Sequence, residues 1–293
     1  MPNFLVIGAA KSGTTSLYHY LKQHPQVYMS SIKEPGFFAF EGTEPRMRRP
    51  WRAWISRNRI TDIESYQALF QGVSDEIAIG EASPAYLVRP RAVERIKHYI
   101  PDAKLIAMLR NPVERAYSAF LMQGLCVGDM PEDSGQAMCE LRQRRSHLDA
   151  GFYYAHLKRY FDNFDRAQIG VYLFDDFEAD PVEVTQEIFR FLGVDETFVP
   201  DTSVKHVVGG LPRNKLWGAI VRGLVLTRPI LRPFVPVPLR QRSIDFISNL
   251  QRRGLAKPSP LDPETRRELI QEYQQDILSL QELIQRDLSD WLE

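Results

Sequence analysis

The run Gly8-Ala9-Ala10-Lys11-Ser12-Gly13-Thr14-Thr15-Ser16 is the segment of this sequence best equipped to hold an anion. Its small residues let backbone N–H groups close around a phosphate-like group, and a helix beginning behind it adds partial positive charge. Lys11 brings a full charge, and Ser12, Thr14 and Thr15 bring hydroxyl donors, with Ser16 closing the run. Gly8 and Gly13 have the separation of the ATP/GTP loop GxxxxGK[ST], but Thr14 stands where that loop needs lysine, and Lys11 precedes the second glycine. No strand-terminal aspartate suited to magnesium accompanies it. The chemistry indicated is therefore anion binding of a different design, without a metal.

A second segment has the same character. In Leu109-Arg110-Asn111-Pro112-Val113-Glu114-Arg115-Ala116-Tyr117-Ser118, Arg110 leaves a strand end as the chain turns into a helix, and its planar fork suits phosphate. Ser118 lies about two helical turns further on, so it reaches only a ligand that extends along that helix. Arg115 reads equally well as a phosphate contact or a packing arginine.

The elements that must position these groups are legible from apolar patterning. Phe4 to Ala9, Lys104 to Leu109 and Ile169 to Phe174 read as buried strands, with a weaker candidate at Ile77 to Ile79. Helical spacing follows each of the first three, over Ser16–Leu21, from Pro112 to Met122, and from about Pro181 to Leu192, where Gly193 stops it. Apolar strands alternating with helices predict a parallel sheet covered on both faces: an α/β fold, a P-loop-like three-layer α/β/α domain spanning residues 1–293. Asp262-Pro263-Glu264 has the form of a helix start, and Leu269, Tyr273, Ile277, Leu280, Ile284, Leu288 and Trp291 recur at intervals of three and four. That predicts a long C-terminal amphipathic helix docked on the same domain.

Lys11-Ser12-Gly13-Thr14-Thr15 resembles the 5′-phosphosulfate loop of the sulfotransferases, the KxGTT pattern, and Arg110 to Ser118 resembles their 3′-phosphate signature, RNPxxRAxS. The two occur in the family's order, each directly after a strand. The resemblance implies an enzyme that binds 3′-phosphoadenosine 5′-phosphosulfate (PAPS), moves its sulfuryl group to an acceptor hydroxyl or amine, and releases adenosine 3′,5′-bisphosphate, with no metal. Lys33-Glu34-Pro35-Gly36-Phe37-Phe38 is similar to the ExxFF stretch of Golgi-type and bacterial members, whose glutamate takes the acceptor proton. By that resemblance Glu34 is the catalytic base. Phe37 and Phe38 are then expected to wall it, because an apolar wall raises a carboxylate pKa. The plain alternative is a surface glutamate paired with Lys33. His206 is the competing base.

Gly80-Glu81-Ala82-Ser83-Pro84-Ala85-Tyr86-Leu87 resembles a heparan sulfate-type segment, EKSPAYF, but has Ala82 in place of its lysine, which counts against a heparan-like acceptor. Lys205 to Lys215 is similar to a late cofactor-closing loop; Arg213 is its candidate phosphate ligand and Lys215 the alternate.

Composition narrows the partners. Lys plus Arg equals Asp plus Glu at 37 each, which argues against coating nucleic acid by charge. Two cysteines, Cys126 and Cys139, make no disulfide framework and read as reduced thiols of a cytoplasmic protein. The first residues lack the pattern of a secretory signal. The basic stretch Arg46 to Arg59, with Trp51 and Trp54, reads as a solvated helix face or as a grip on an anionic or sugar acceptor. Residues 217–239 read as a packed helix and loop, an acceptor lid, or a peripheral membrane contact. The acceptor classes left open are glycan, lipid and small molecule. The rival functions are a nucleotide or small-molecule kinase and a non-catalytic nucleotide-binding protein.

Overall fold

Five parallel strands form the centre of the computed structural model, which describes residues 1–43, 59–127, 145–203, 211–212, 255–256 and 261–293. They are β1 (Phe4–Gly8), β2 (Val27–Met29), β3 (Ala78–Ala82), β4 (Lys104–Leu109) and β5 (Ile169–Leu173). Their order is β2-β3-β1-β4-β5. Successive side chains on a strand point to opposite faces, and here both faces are buried. Leu5 and Ile7 of β1 and Leu105, Ala107 and Leu109 of β4 enter one core. Phe4 and Val6, with Ile106 and Met108, enter the other. This is why these strands read as unbroken apolar runs rather than as alternations.

Helices Thr14–Leu21 and Pro181–Leu192 cover one face through Leu17, Tyr18, Ile188 and Phe189. Helices Pro90–Tyr99, Pro112–Val127, Tyr153–Phe161 and Pro263–Ile284 cover the other through Ile96, Val113, Leu157 and Tyr273. The layering is therefore the expected α/β/α. The helix after β1 and the helix after the adjacent β4 go to opposite faces. That divergence opens a crevice at the carboxyl ends of the two strands, the place where open α/β sheets bind ligands.

Three boundaries differ from expectation. β3 runs over Ala78–Ala82, further than the run Ile77–Ile79, because it is paired on both sides and the ring of Phe4 fills the space over Gly80. β5 stops at Leu173, and Phe174 already begins a short helix, Phe174–Ala179. The C-terminal helix is capped by Asp262, whose carboxylate accepts the Thr265 N–H at 2.9 Å, but it ends at Ile284. Gln285 takes a left-handed conformation, φ 56°, and Leu288 and Trp291 pack from a separate turn that includes Ser289–Leu292. Their apolar spacing carries on past the helix because both still bury against the same core.

Candidate active site

The anion loop leaves β1 and is sewn to β4, where the Ala9 N–H donates to the Met108 carbonyl at 2.6 Å. Lys11 and Gly13 both have positive φ, 73° and 79°. For lysine that conformation is uncommon and costs free energy, so the surrounding structure must hold it. At Gly13 glycine is required twice over: the φ is left-handed, and a Cβ would stand 3.0 Å from the Phe174 ring and 3.2 Å from Phe177. Gly13 is also the N-cap of helix Thr14–Leu21 and offers no side-chain cap, which leaves the first-turn N–H groups without a side-chain acceptor. Ser12 is fully buried and its Oγ has no hydrogen-bond partner among the described residues. Thr14 is buried, Thr15 is half-buried, and half-buried Ser16 lies beside the Tyr20 hydroxyl.

Arg110 follows β4 directly. Its guanidinium carbon sits 4.7 Å from the centroid of the Phe174 ring, the same ring that abuts Gly13. Its Nε is buried without a partner among the described residues, and its terminal nitrogen is 4.0 Å from Glu114. Asn111 caps the next helix: its Oδ1 accepts the N–H groups of Val113 at 3.0 Å and Glu114 at 3.3 Å. Tyr153 fixes the backbone here by donating its hydroxyl to the Arg110 carbonyl at 2.9 Å, and burial raises its pKa. Ser118 is half-buried on helix Pro112–Val127. Met122 lies one turn beyond on the same face, and Lys11 Nζ reaches its sulfur at 3.4 Å. The lysine of the first loop thus crosses to the helix of the second segment. Arg115 turns out to be a packing arginine: it is 2% exposed and donates to the His147 carbonyl.

Glu34 lies in the loop after β2, and its N–H donates to the Ala82 carbonyl at 3.1 Å, at the end of β3. Its φ is 60° and that of Gly36 is 70°, and Gly36 is pinned through its N–H to the buried Ser83 hydroxyl at 3.0 Å. The Glu34 side chain is 57% exposed and ion-paired with Lys33 at 2.7 Å. Phe37 and Phe38 do not wall it, contrary to expectation. Both rings are fully buried and pack with Tyr66, Tyr86 and Tyr99, because helix Phe37–Phe40 turns them into the core. Arg95 fastens that helix from behind, donating to the carbonyls of Phe38 at 3.0 Å and Glu41 at 2.7 Å.

The aromatic cluster encloses Glu81, a residue that sequence reasoning passed over. Glu81 is fully buried. Its Oε1 accepts the hydroxyls of Tyr86 at 2.5 Å and Tyr66 at 3.3 Å, and its Oε2 has no partner among the described residues. Burial pushes its carboxyl up to about 7, against the lowering effect of its hydroxyl neighbours Tyr86, Ser83 and Tyr66; the charge of Glu34 pushes it in the same direction as burial. A lone glutamate inside a strand flanked by Ala78, Gly80 and Ala82 was the available signal. Ala82, where the resembling segment has lysine, is fully buried.

Several expectations fall outside the described residues: Arg213, Lys215, His206, Cys139, residues 46–58 of the basic stretch, and residues 217–239. Of that stretch Arg59 is described, with its guanidinium 3.8 Å over the Phe40 ring. The backbone of Leu211–Pro212, from the expected closing loop, adjoins helix Pro112–Val127. Among the described residues no cluster of His, Cys, Asp and Glu could hold a metal, and no helix is long and apolar enough to cross a membrane.

A parallel α/β sheet that carries the Lys11–Ser16 loop after β1 and Arg110 after β4, both against Phe174, is a P-loop-like α/β fold. The sequence profile described as "Sulfotransferase family" matches residues 2–198, and the chain belongs to that family. A crystal structure of a sulfotransferase from Alicyclobacillus acidocaldarius is 32% identical, with a TM-score of 0.71, over 100% of this chain and 99% of that one. The membrane-associated sulfotransferase kil1 of Dictyostelium discoideum is 37% identical over 41% of this chain and 22% of its own length. The human bifunctional heparan sulfate N-deacetylase/N-sulfotransferase 3 is 30% identical over 66% of this chain and 22% of its own length. The chain thus spans about a quarter or less of the curated relatives it matches first.

Proposed function

We propose that the chain transfers the sulfuryl group of PAPS to a hydroxyl or amine of an acceptor and releases adenosine 3′,5′-bisphosphate. The observation that carries this reading is the meeting of the two anion-binding segments: Lys11 extends to Met122 on the helix of Ser118, while Gly13 and Arg110 share Phe174. Two buried polar atoms without partners among the described residues, Ser12 Oγ and Arg110 Nε, fit a polyanionic nucleotide there. PAPS supplies an activated sulfur on a phosphate leaving group.

In this reading Lys11, the first-turn N–H groups and the hydroxyls of Ser12, Thr14, Thr15 and Ser16 hold the 5′ side. They stabilise the negative charge that grows on the leaving oxygen. Arg110 and Ser118 grip the 3′-phosphate. Glu34 accepts the proton of the attacking group as the new bond to sulfur forms and the bond to the phosphate oxygen breaks. Its left-handed backbone, tied to Ala82, fixes the point at which the side chain leaves the loop.

Relatives named as heparan sulfate N-sulfotransferases and carbohydrate sulfotransferases make a carbohydrate the first acceptor class to test, with lipids and small molecules next. The test is Glu34→Gln, assayed with labelled PAPS and an acceptor panel under conditions where chemistry limits the rate. Turnover should fall roughly 10²–10⁴-fold, the range for general acid–base catalysis, with nucleotide affinity unchanged. Near-normal turnover would remove Glu34 as the base and leave it the surface partner of Lys33.

A further inference from the structure

Trp291 is 3% exposed in the turn Ser289–Leu292, outside both anion-binding segments, yet it bonds to Asn111, next to Arg110, and to the short helix Phe174–Ala179 after β5. Its carbonyl accepts the Asn111 Nδ2–H at 3.4 Å. That bond orients the amide so that Oδ1 faces the N–H groups of Val113 and Glu114, and the helix begins directly behind Arg110. Its indole N–H donates to Asp175 Oδ2 at 3.1 Å. Asp175 follows Phe174, the ring on which the Arg110 guanidinium rests. The indole also packs on Tyr153, centroids 6.2 Å apart, and the Tyr153 hydroxyl holds the Arg110 carbonyl. A second tie from the same stretch, Arg286 to Asp176 at 2.8 Å, holds helix Phe174–Ala179 again.

We infer that Trp291 is a positioning residue for the 3′-phosphate side of the cofactor: it fixes the floor and the backbone of Arg110. The inference rests on the reading of Arg110 as the 3′-phosphate ligand. A long side chain held in its binding geometry loses less conformational entropy when the anion arrives, so its support contributes to affinity without touching ligand. The first anion loop shares the Phe174 ring with Arg110 but has further supports of its own in the β1–β4 bond and the Gly13 conformation. The effect of Trp291 should therefore fall on nucleotides that carry a 3′-phosphate.

The experiment is calorimetric titration of the full chain with adenosine 3′,5′-bisphosphate and with AMP, for wild type, Trp291→Phe, Asp175→Ala, Asp175→Asn, Arg110→Ala and Trp291→Phe/Arg110→Ala. Asp175 is exposed, so its substitutions keep the question open if the tryptophan variant does not fold. Trp291→Phe and Asp175→Ala should each weaken the bisphosphate about tenfold and AMP less than about twofold, while Asp175→Asn, which keeps an acceptor, stays near wild type. In the Arg110→Ala background Trp291→Phe should add almost nothing, the non-additivity expected when one residue acts through another. Equal weakening of both nucleotides, no weakening, or additive losses would overturn the inference. If Arg110→Ala alone keeps the preference for the bisphosphate, the assignment of Arg110 fails, and that arm reports it separately.

Discussion

Replacing Glu81 by glutamine should change how stability depends on pH, and the size of the change follows from its surroundings. The carboxyl is fully buried against the hydroxyls of Tyr66 and Tyr86, with the Ser83 hydroxyl and the charge of Glu34 as its other polar neighbours. Its pKa is about 7 in the folded chain, against an ordinary 4.5. A raised carboxyl pKa means the folded state binds the proton more tightly than the unfolded state does. The associated stability is fully present below about pH 4.5, and it is lost as pH rises to about 7. A shift of this size corresponds to on the order of 3 kcal/mol across that window.

Urea unfolding of wild type and Glu81→Gln, followed by tryptophan fluorescence from pH 4.5 to 8, isolates this group, because the other titrating residues cancel in the difference. The glutamine variant should gain on wild type by on the order of 3 kcal/mol over the range. The gain should level off above the folded pKa. A difference that stays flat to within about 1 kcal/mol would refute the account, since it would mean that Glu81 is ionised in both states or hydrated in the folded one.

Lys11→Ala should weaken adenosine 3′,5′-bisphosphate roughly 10–100-fold, the value of a lost charge-assisted hydrogen bond, and should lower kcat as well, because the leaving oxygen loses its cation. Unchanged turnover at saturating PAPS would contradict that role. Gly13→Ala forces a side chain into a left-handed backbone against Phe174, at a cost of about 1–3 kcal/mol. It should lower the thermal midpoint and nucleotide affinity together. Nucleotide binding should be the same with and without EDTA, by titration, since neither anion-binding segment supplies a metal ligand set.

The loop after β1, the turn at Arg110 and the strands beneath them were legible in the chain because each is local. A strand, a short loop of small residues and a helix start are encoded within about a dozen consecutive residues, and backbone geometry there follows from residue type. The same holds for the Asp262 cap and for Gly193, which ends its helix with φ 82°. What the chain alone left open was long-range. Phe37 and Phe38 face away from Glu34 because helix Phe37–Phe40 packs on Tyr66 and Tyr86, residues some 30 to 50 positions later. Arg115 could be a ligand or packing by its spacing, and its burial under helix Arg145–Asp149 decided for packing.

The chain by itself determined the family, the sheet, and the residue types of the site proposed for sulfuryl transfer. Only the tertiary structure decided that Phe174 lies between Gly13 and Arg110, that Lys11 reaches the helix of Ser118, that Glu81 is buried against two tyrosine hydroxyls, and that Trp291 ties Asn111 to helix Phe174–Ala179. Side-chain neighbours across a parallel sheet come from crossovers dozens of residues long, so no periodicity within the sequence can specify them.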